Sequence, residues 1–208
     1  MIFEPYHISK PVIIVLAGGA SNRLGRAKQA LPYEGTTLLQ HTVAVAEQTT
    51  LGPVCVVLGA RAETTGSLVF GEDILVIRNE NWASGMASTL QKGLRFMLKK
   101  YPEMDGAFFL VCDQPFIEKD ILVKLLKQQQ ASGKAMVAAA YDDKMGTPAI
   151  FSKQVFDKLL ELEGDTGARK LIKQYPNDVA SIAFEAGRFD IDTEADYKTL
   201  MMQKQPVS

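Results

Sequence analysis

Short apolar runs rich in β-branched residues alternate along this chain with segments in which apolar residues recur every three or four positions. Such alternation predicts parallel strands joined by helices, the pattern of an α/β sheet. The first run, 11–17, is apolar throughout and predicts a central strand that is buried on both faces. Further strands are predicted at residues 53–58, 74–77, 107–112, 135–140, 149–151 and 179–184, and helices at about 38–46, 84–100, 121–126, 153–162, 168–174 and 194–202.

These elements follow one another without a long linker, an internal repeat or a low-complexity tract. A chain of 208 residues suits one domain with a substantial core. We therefore predict a single domain over residues 1–208. Its expected architecture is a three-layer α/β/α fold, with a mostly parallel Rossmann-like sheet between two layers of helices.

The charge and composition of the chain bear on which classes of partner it is expected to have. The net charge is -1 at pH 7, so no concentrated basic surface for nucleic acid or anionic membranes is indicated. The first ten residues lack the apolar core of a signal peptide, and the apolar run 12–17 is far shorter than the roughly 20 residues that cross a bilayer. Cys55 and Cys112 fall within predicted strands and form no C-x-x-C pair, which favours buried, reduced thiols. We expect a cytoplasmic protein without a nucleic-acid or membrane partner.

A glycine-rich loop, residues 18–28, leaves the carboxyl end of the first predicted strand, where open α/β sheets bind ligands. Its two leading glycines let backbone N–H groups approach a phosphate closely, and a serine, an arginine and a lysine add a donor and positive charge. Its glycine spacing fits neither the Walker A motif nor the dinucleotide fingerprint. The alternative is a structural turn with solvated basic residues. The predicted phosphate-binding residues are Leu16, Ala17, Gly18, Gly19, Ser21, Arg23 and Lys28.

The loop resembles that of the MobA/MocA-type nucleotidyltransferases, which reads roughly L-A-[AG]-G-x-S-x-R-M-G-x-x-K; this chain has Leu24 in place of the methionine. The resemblance covers about residues 11–200 and implies a fold of the nucleotide-diphospho-sugar transferase type. It continues in the same order through five blocks, which are N-x-x-x-G-M-x-S-T-L from Asn81, D-Q-P from Asp113, G-T-P-A-I-F from Gly146, G-D-T-G-A-R from Gly164 and F-D-I-D-T-E from Phe189.

A magnesium site is expected beside the loop. Asp113 lies where a buried predicted strand ends, so its carboxylate should reach the same sheet edge as the glycines. Mg²⁺ prefers one or two carboxylates together with phosphate oxygens and water. The resemblance implies that Asp113 holds the metal and that Asp190 and Asp192 lie beside it, with Asp192 the stronger candidate. The alternative is that these aspartates cap the helices that follow them.

The resemblance also implies where two substrates bind. The nucleotide base and ribose are expected at Asn81, Gly85, Met86 and Ser88, and the acceptor at Gly146, Thr147, Pro148, Asp165 and Arg169. Arg169 is a candidate clamp for an acceptor phosphate, since its guanidinium can bind phosphate through two parallel hydrogen bonds.

The nucleotide donor follows from which branch of the family is closer. The blocks from Gly85 onward are more similar to the cytidylyltransferase branch, which makes the cytosine dinucleotide form of molybdopterin-bound molybdenum. The stretch Ala17-Gly18-Gly19 is more typical of the guanylyltransferase branch. CTP is therefore the favoured donor and GTP the alternative. The implied partners are a phosphorylated pterin-type acceptor and a molybdoenzyme that receives the product.

The chemistry expected of this site needs no nucleophilic side chain. His7 and His41 lie outside every block, and no Ser/His/Asp grouping is evident. Phosphoryl-type transfer relies on positioning and charge neutralisation, which assigns catalysis to Arg23, Lys28 and Asp113. The alternatives are an enzyme acting on a sugar phosphate or an isoprenoid-precursor phosphate, a Rossmann oxidoreductase, and a non-catalytic nucleotide-binding protein that delivers a cofactor.

Overall fold

A seven-stranded sheet runs through the centre of the molecule. The computed structural model describes residues 3–69, 71 and 73–203. The strands of this sheet, in spatial order, are β5 (Ile74–Arg78), β4 (Val54–Leu58), β1 (Pro11–Ala17), β6 (Gly106–Val111), β8 (Lys144–Ser152), β7 (Met136–Tyr141) and β9 (Val179–Ala183). A separate two-stranded ribbon is formed by β2 (Pro32–Tyr33) and β3 (Thr36–Thr37).

The sheet is mostly parallel, as predicted, and its parallel strands therefore end at one edge. Strand β8 is antiparallel to both of its neighbours, β6 and β7, whereas the other pairings are parallel. In the register between β1 and β6, Leu16 pairs with Val111. Gly18 and Asp113 each lie two residues beyond that pair, so the glycine loop and Asp113 emerge side by side from adjacent strands.

Helices cover both faces of the sheet and complete the three predicted layers. Alternate residues of β1 point to opposite faces, which places Ile13 and Val15 in one core and Ile14 and Leu16 in the other. The first face packs against α1 (Leu38–Gln48) and α4 (Lys119–Ser132), and the second against α3 (Met86–Lys100), α5 (Phe156–Leu160) and α6 (Arg169–Gln174). The remaining helices are α2 (Ala62–Thr65) and α7 (Glu194–Gln203).

Strand β8 corrects one sequence prediction. The short strand expected at 149–151 is nine residues long and begins at Lys144. The preceding residues contain Gly146-Thr147-Pro148, a composition typical of turns, but antiparallel pairing with β7 extends the strand through them, with a register shift between Ala138 and Ala139. The Thr147–Pro148 peptide bond is cis.

Smaller differences concern short elements. The β2–β3 ribbon and α2 were not predicted, because segments of two to four residues carry no measurable periodicity. The helix expected at 153–162 is a 3₁₀ turn at Lys153–Val155 followed by α5, and the helix expected from residue 84 is preceded by a separate 3₁₀ turn at Trp82–Ser84. Both cysteines are free and buried, as predicted, and burial raises the pKa of each thiol to about 12.

A third, smaller core lies under the loop that follows β1. Leu24 is 5% exposed there, which explains why an aliphatic residue of methionine's bulk suits this position. The core packs the loop onto α7 through Leu24, Leu31, Tyr33, Leu38, Ile191 and Leu200.

Among the residues that the structure describes, no helix combines the length and the apolar composition that a membrane span requires.

The close approach of α3 to the sheet predicts that Gly93→Ala destabilises the protein. A Cβ at this position would lie 2.7 Å from Ile14 Cγ2 and 2.9 Å from Val57 Cγ2. Overpacking costs about 1–3 kcal/mol, and the gain in helix propensity is at most about 1 kcal/mol. We therefore expect the free energy of unfolding, measured in urea, to fall by about 1–2 kcal/mol.

The matched control is Gly66→Ala, where the new Cβ would meet only Leu58 Cδ1 at 3.7 Å and the backbone is helical. We expect this variant to be neutral or slightly stabilised. Equal stability of the two variants would contradict the close packing of α3.

Candidate active site

The glycine loop reverses sharply after β1 and is held by its own backbone. Ser21 adopts a left-handed conformation with φ of 56°, and its carbonyl accepts hydrogen bonds from Leu24 N (3.1 Å) and Gly25 N (3.0 Å). The hydroxyl of Ser21 accepts from the backbone N–H of Lys28 at 3.2 Å. The turn therefore brings Lys28 back toward the strand from which the loop departs.

The backbone N–H groups of residues 19–22 are available to a ligand. Within the described ranges, none of them donates a hydrogen bond to another residue of the chain. Consecutive N–H groups in a left-handed turn form a concave site for anions. Such a site fits the predicted role of this loop in phosphate binding.

Gln29 fixes the start of the loop and was missed from the sequence. Its amide nitrogen donates to Ala17 O at 3.0 Å and to Gly19 O at 3.1 Å, and the residue is 1% exposed. Its side chain thus replaces the strand partners that the loop lacks. A glutamine directly after a loop lysine gives no sequence signal of burial.

Lys28 joins the loop to two of the predicted metal ligands. Its ammonium nitrogen lies 2.6 Å from Asp113 Oδ2 and 3.0 Å from Asp192 Oδ1, and its side chain is only 13% exposed. Burial alone lowers the pKa of Lys28, but the charge of Asp113 and the hydrogen bonds to both aspartates outweigh burial and raise it. The lysine is therefore a fully charged cation between two carboxylates.

The surroundings of both aspartates argue against the helix-capping alternative. The first turn of α7 is capped by Thr193 and Asp196, since Asp196 Oδ2 accepts from Thr193 N at 2.7 Å and Thr193 Oγ1 accepts from Asp196 N at 3.2 Å. Asp192 instead accepts from Arg23 Nη2 at 2.7 Å, in addition to its contact with Lys28. The N-cap of α4 is Glu118, so Asp113 does not cap that helix.

A divalent cation fits the pair formed by Asp113 and Asp192. One oxygen of each carboxylate faces the ammonium of Lys28, so the pair already accommodates one positive charge. The described residues contain no group of three or more His, Cys, Asp or Glu side chains arranged for a metal. A two-carboxylate site completed by phosphate oxygens and water is the arrangement that Mg²⁺ prefers.

Asp190, the third predicted metal ligand, lines a cavity to which Asp113 also contributes. Burial raises its pKa to about 6, with further contributions from the charges of Asp113 and Asp192, whereas Arg169 and Lys28 oppose the rise. Ile191, between the two aspartates, donates its N–H to Asp113 O at 2.9 Å. This bond keeps the whole segment beside the end of β6.

The residues predicted to contact the base lie in the turn before α3 and in the first turn of that helix, and hydrogen bonds connect them. The hydroxyl of Ser88 donates to the carbonyls of Asn81 and Gly85, each at 2.8 Å, and accepts from the amide of Asn79. Gly85 has φ of 99°, and a Cβ there would lie 2.6 Å from Asp165 Oδ1. The predicted nucleotide and acceptor segments are therefore in direct contact.

The cavity beside Asp113 has a volume of about 190 Å³ and contains most of the predicted acceptor residues. Pro148 and Asn81 do not line it, whereas Leu16 and Met86, predicted to bind nucleotide, do. Its lining combines apolar side chains with four charged ones. The cavity is lined by, among others, Leu16, Met86, Asp113, Gly146, Thr147, Asp165, Arg169 and Asp190.

Tyr141 holds Arg169 at this cavity and was also missed from the sequence. Arg169 Nη2 donates to the Tyr141 hydroxyl at 2.8 Å, and Tyr141 is 3% exposed. A Cβ at Gly146 would lie 2.6 Å from the Tyr141 hydroxyl and 2.9 Å from Arg169 Nε, so only glycine fits beneath this pair. Tyr141 is the last residue of β7, and ligands bind beyond the carboxyl ends of parallel strands. That position is the sequence signal that could have identified Tyr141 as a site residue.

The chain is similar to several known proteins. The family model described as the MobA-like NTP transferase domain matches residues 13–179. The chain is 28% identical over 192 residues to nicotine blue oxidoreductase of Paenarthrobacter nicotinovorans, across 86% of this chain and 91% of that protein. It is 26% identical over 196 residues to a probable molybdenum cofactor guanylyltransferase of Bacillus cereus strain AH187, across 91% and 90%. The crystal structure of Rv0371C from Mycobacterium tuberculosis H37Rv in complex with manganese matches with a TM-score of 0.73 and 28% identity, across 93% and 98%.

The raised pKa of Asp190 predicts a pH-dependent effect of Asp190→Asn on stability. The folded protein holds the Asp190 proton up to about pH 6, whereas the unfolded chain releases it near pH 4. Stability from this group is therefore present below about pH 4 and lost as pH rises through about 6. We measure the free energy of unfolding in urea with EDTA present. Relative to the original protein, the free energy of unfolding of the variant should rise by about 1–2 kcal/mol as the pH goes from about 4 to about 8, after allowance for solvent screening.

Asp143→Asn provides the matched control, because Asp143 is exposed in the turn between β7 and β8. Its stability should follow that of the unsubstituted protein at every pH. An Asp190→Asn difference that is constant with pH would show that this carboxyl titrates normally.

Proposed function

The chain belongs to the MobA-like NTP transferase domain family, and from this premise we propose that it transfers a nucleoside monophosphate from a nucleoside triphosphate to a phosphorylated acceptor, with Mg²⁺ as cofactor and release of pyrophosphate. The observation that supports this most directly is the contact of Lys28 with Asp113 and Asp192 beside the unused N–H groups of the glycine loop. One sheet edge thus brings together a cation, N–H groups that can donate hydrogen bonds to an anion, and two carboxylates. This combination suits a triphosphate with a bound metal.

In this proposal, different residues of the site bind the triphosphate and the metal. The N–H groups of the loop and the side chains of Arg23 and Lys28 bind the triphosphate, and Asp113 and Asp192 would hold Mg²⁺. When bound, the metal supplies positive charge that stabilises phosphate oxygens. The manganese complex of the mycobacterial relative supports a divalent cation in this family.

The acceptor enters from the cavity on the Asp113 side. Arg169, anchored by Tyr141, binds its phosphate and aims an anionic oxygen at the α-phosphorus. A new bond forms between that oxygen and the α-phosphorus, while the bond from the α-phosphorus to its bridging oxygen breaks in line and pyrophosphate departs. The attacking oxygen carries no proton, so no general base and no covalent intermediate are required.

The identity of the donor rests on two kinds of support. Similarity of the blocks from Gly85 onward favours CTP, and with it CMP transfer. The Ala17-Gly18-Gly19 sequence and a relative named molybdenum cofactor guanylyltransferase favour GTP as the second candidate. A pterin-type acceptor of the molybdenum cofactor, passed on to a molybdoenzyme, is the proposed acceptor for either nucleotide.

The first experiment measures pyrophosphate release from CTP, GTP, ATP and UTP with the purified chain, with and without Mg²⁺ and in the presence of molybdopterin. One triphosphate should be preferred, and removal of Mg²⁺ by EDTA should abolish release. Asp113→Asn should fold normally by circular dichroism yet lose roughly a hundredfold or more in turnover, because the metal loses a charged ligand.

Asp120→Asn, at the exposed start of α4, serves as the control for that variant. Full turnover by Asp113→Asn would contradict the proposal. Since one relative carries an oxidoreductase name, the same samples are tested for NAD(P)H oxidation. Consumption of NAD(P)H without pyrophosphate release would favour the redox alternative instead.

A second experiment tests whether Lys28 occupies the cation position of the free protein. Titration with Mn²⁺, followed by electron paramagnetic resonance of the free ion, should give weak binding alone and strong binding with the preferred triphosphate. Lys28→Met should bind Mn²⁺ alone about tenfold more tightly or better, because a competing charge has gone.

The control is Lys92→Met, whose ammonium is paired with Glu80 on the surface, 3.0 Å away. It should leave Mn²⁺ affinity unchanged. If Lys28→Met and the original protein bind Mn²⁺ equally well without nucleotide, Lys28 and the metal do not share a position.

A further inference from the structure

The segment after β4 forms a second wall of the glycine loop. Gly59 lies so close to the loop that an added Cβ would come within 2.3 Å of Gly18 O. The N–H of Ala60 donates to the same oxygen at 3.2 Å. Arg61 then reaches the middle of the loop, where its Nε donates to Ala20 O at 3.4 Å.

The backbone at Arg61 is firmly anchored. Its carbonyl accepts hydrogen bonds from the backbone N–H groups of Thr64 (3.1 Å) and Thr65 (2.9 Å) and from the hydroxyls of the same two residues (3.0 and 2.7 Å). These bonds form the first turn of α2 and fix the point from which the half-buried arginine side chain extends. The guanidinium is therefore positioned beside the loop by the anchored backbone and by the hydrogen bond from Nε.

Arg61 differs from the cations within the loop in having no carboxylate partner. Arg23 pairs with Asp192, Arg26 with Glu194, and Lys28 with Asp113 and Asp192. Among the residues that the structure describes, no Asp or Glu lies within ion-pair distance of Arg61. Its terminal nitrogens keep their donors and their charge for an external anion.

We propose that Arg61 binds the terminal phosphates of the nucleoside triphosphate, an inference that rests on the proposed function. Strand β1 lies between β4 and β6, so Arg61 and Asp113 flank the glycine loop from opposite sides. In an in-line displacement the leaving group faces away from the attacking oxygen, so an acceptor that enters on the Asp113 side directs the β- and γ-phosphates toward the Arg61 side. A planar guanidinium there can bind two phosphate oxygens at once and stabilise the departing pyrophosphate.

The experiment compares the affinities of the preferred triphosphate, the corresponding monophosphate and inorganic pyrophosphate by isothermal titration calorimetry. Arg61→Met keeps the length of the side chain but removes its charge. It should weaken triphosphate and pyrophosphate binding roughly ten- to a hundredfold and change monophosphate binding less than about twofold. Arg61→Lys, which keeps the charge without the planar fork, should fall between the two.

Arg95→Met is the matched control, because it removes the same charge from the exposed face of α3. Unliganded thermal unfolding checks that Arg61→Met is folded, and Arg61→Lys supplies the answer if it is not. Equal loss of monophosphate and triphosphate affinity, or loss of neither, overturns the assignment to the terminal phosphates while the proposed function stands. Failure of the original protein to bind any triphosphate overturns both.

Discussion

One ammonium group ties together three parts of the chain that are far apart in sequence. Lys28 belongs to the loop after β1, Asp113 to the end of β6 and Asp192 to the segment before α7, and its nitrogen lies within 3.0 Å of both carboxylates. Without a cation between them, the two carboxylates would repel each other in a partly desolvated position. The position of the loop relative to the sheet edge therefore depends on keeping one positive charge there, whether from the lysine or from a metal.

The cations around the site are held in two different ways, and the difference matches their proposed tasks. Those of the loop are paired with carboxylates, so Lys28 would be free to contact the phosphates if the proposed metal were held by Asp113 and Asp192. Arg169 and Arg61 are held by neutral groups, a phenol and a backbone carbonyl. A neutral anchor fixes the guanidinium without cancelling its charge, which keeps its attraction for an anion at full strength.

The sequence was sufficient for what depends on hydrophobic pattern and chain direction. Strand β1 was predicted to the residue, and the rule that parallel strands end at one edge placed the glycine loop beside Asp113. The predicted start of β8 was wrong, because Gly146-Thr147-Pro148 has the composition of a turn. Pairing with β7, and not the local composition, decides the conformation of this segment. The hydrogen-bond partners of Ser88 and Gln29 could not be predicted, because they are backbone carbonyls that only the folded turns bring within reach of these side chains.

Asp113 marks the boundary between the two halves of the site. It contacts Lys28 of the loop and also lines the neighbouring cavity, where we propose that the acceptor binds. Gly85 joins the same halves further out, because its lack of a side chain lets the turn before α3 pack against Asp165. A group bound in the cavity and a phosphate bound on the loop thus approach each other across one carboxylate, and a direct displacement at phosphorus needs that geometry. The proposed reaction therefore needs no nucleophilic side chain of the protein, because the two substrates would react with each other directly.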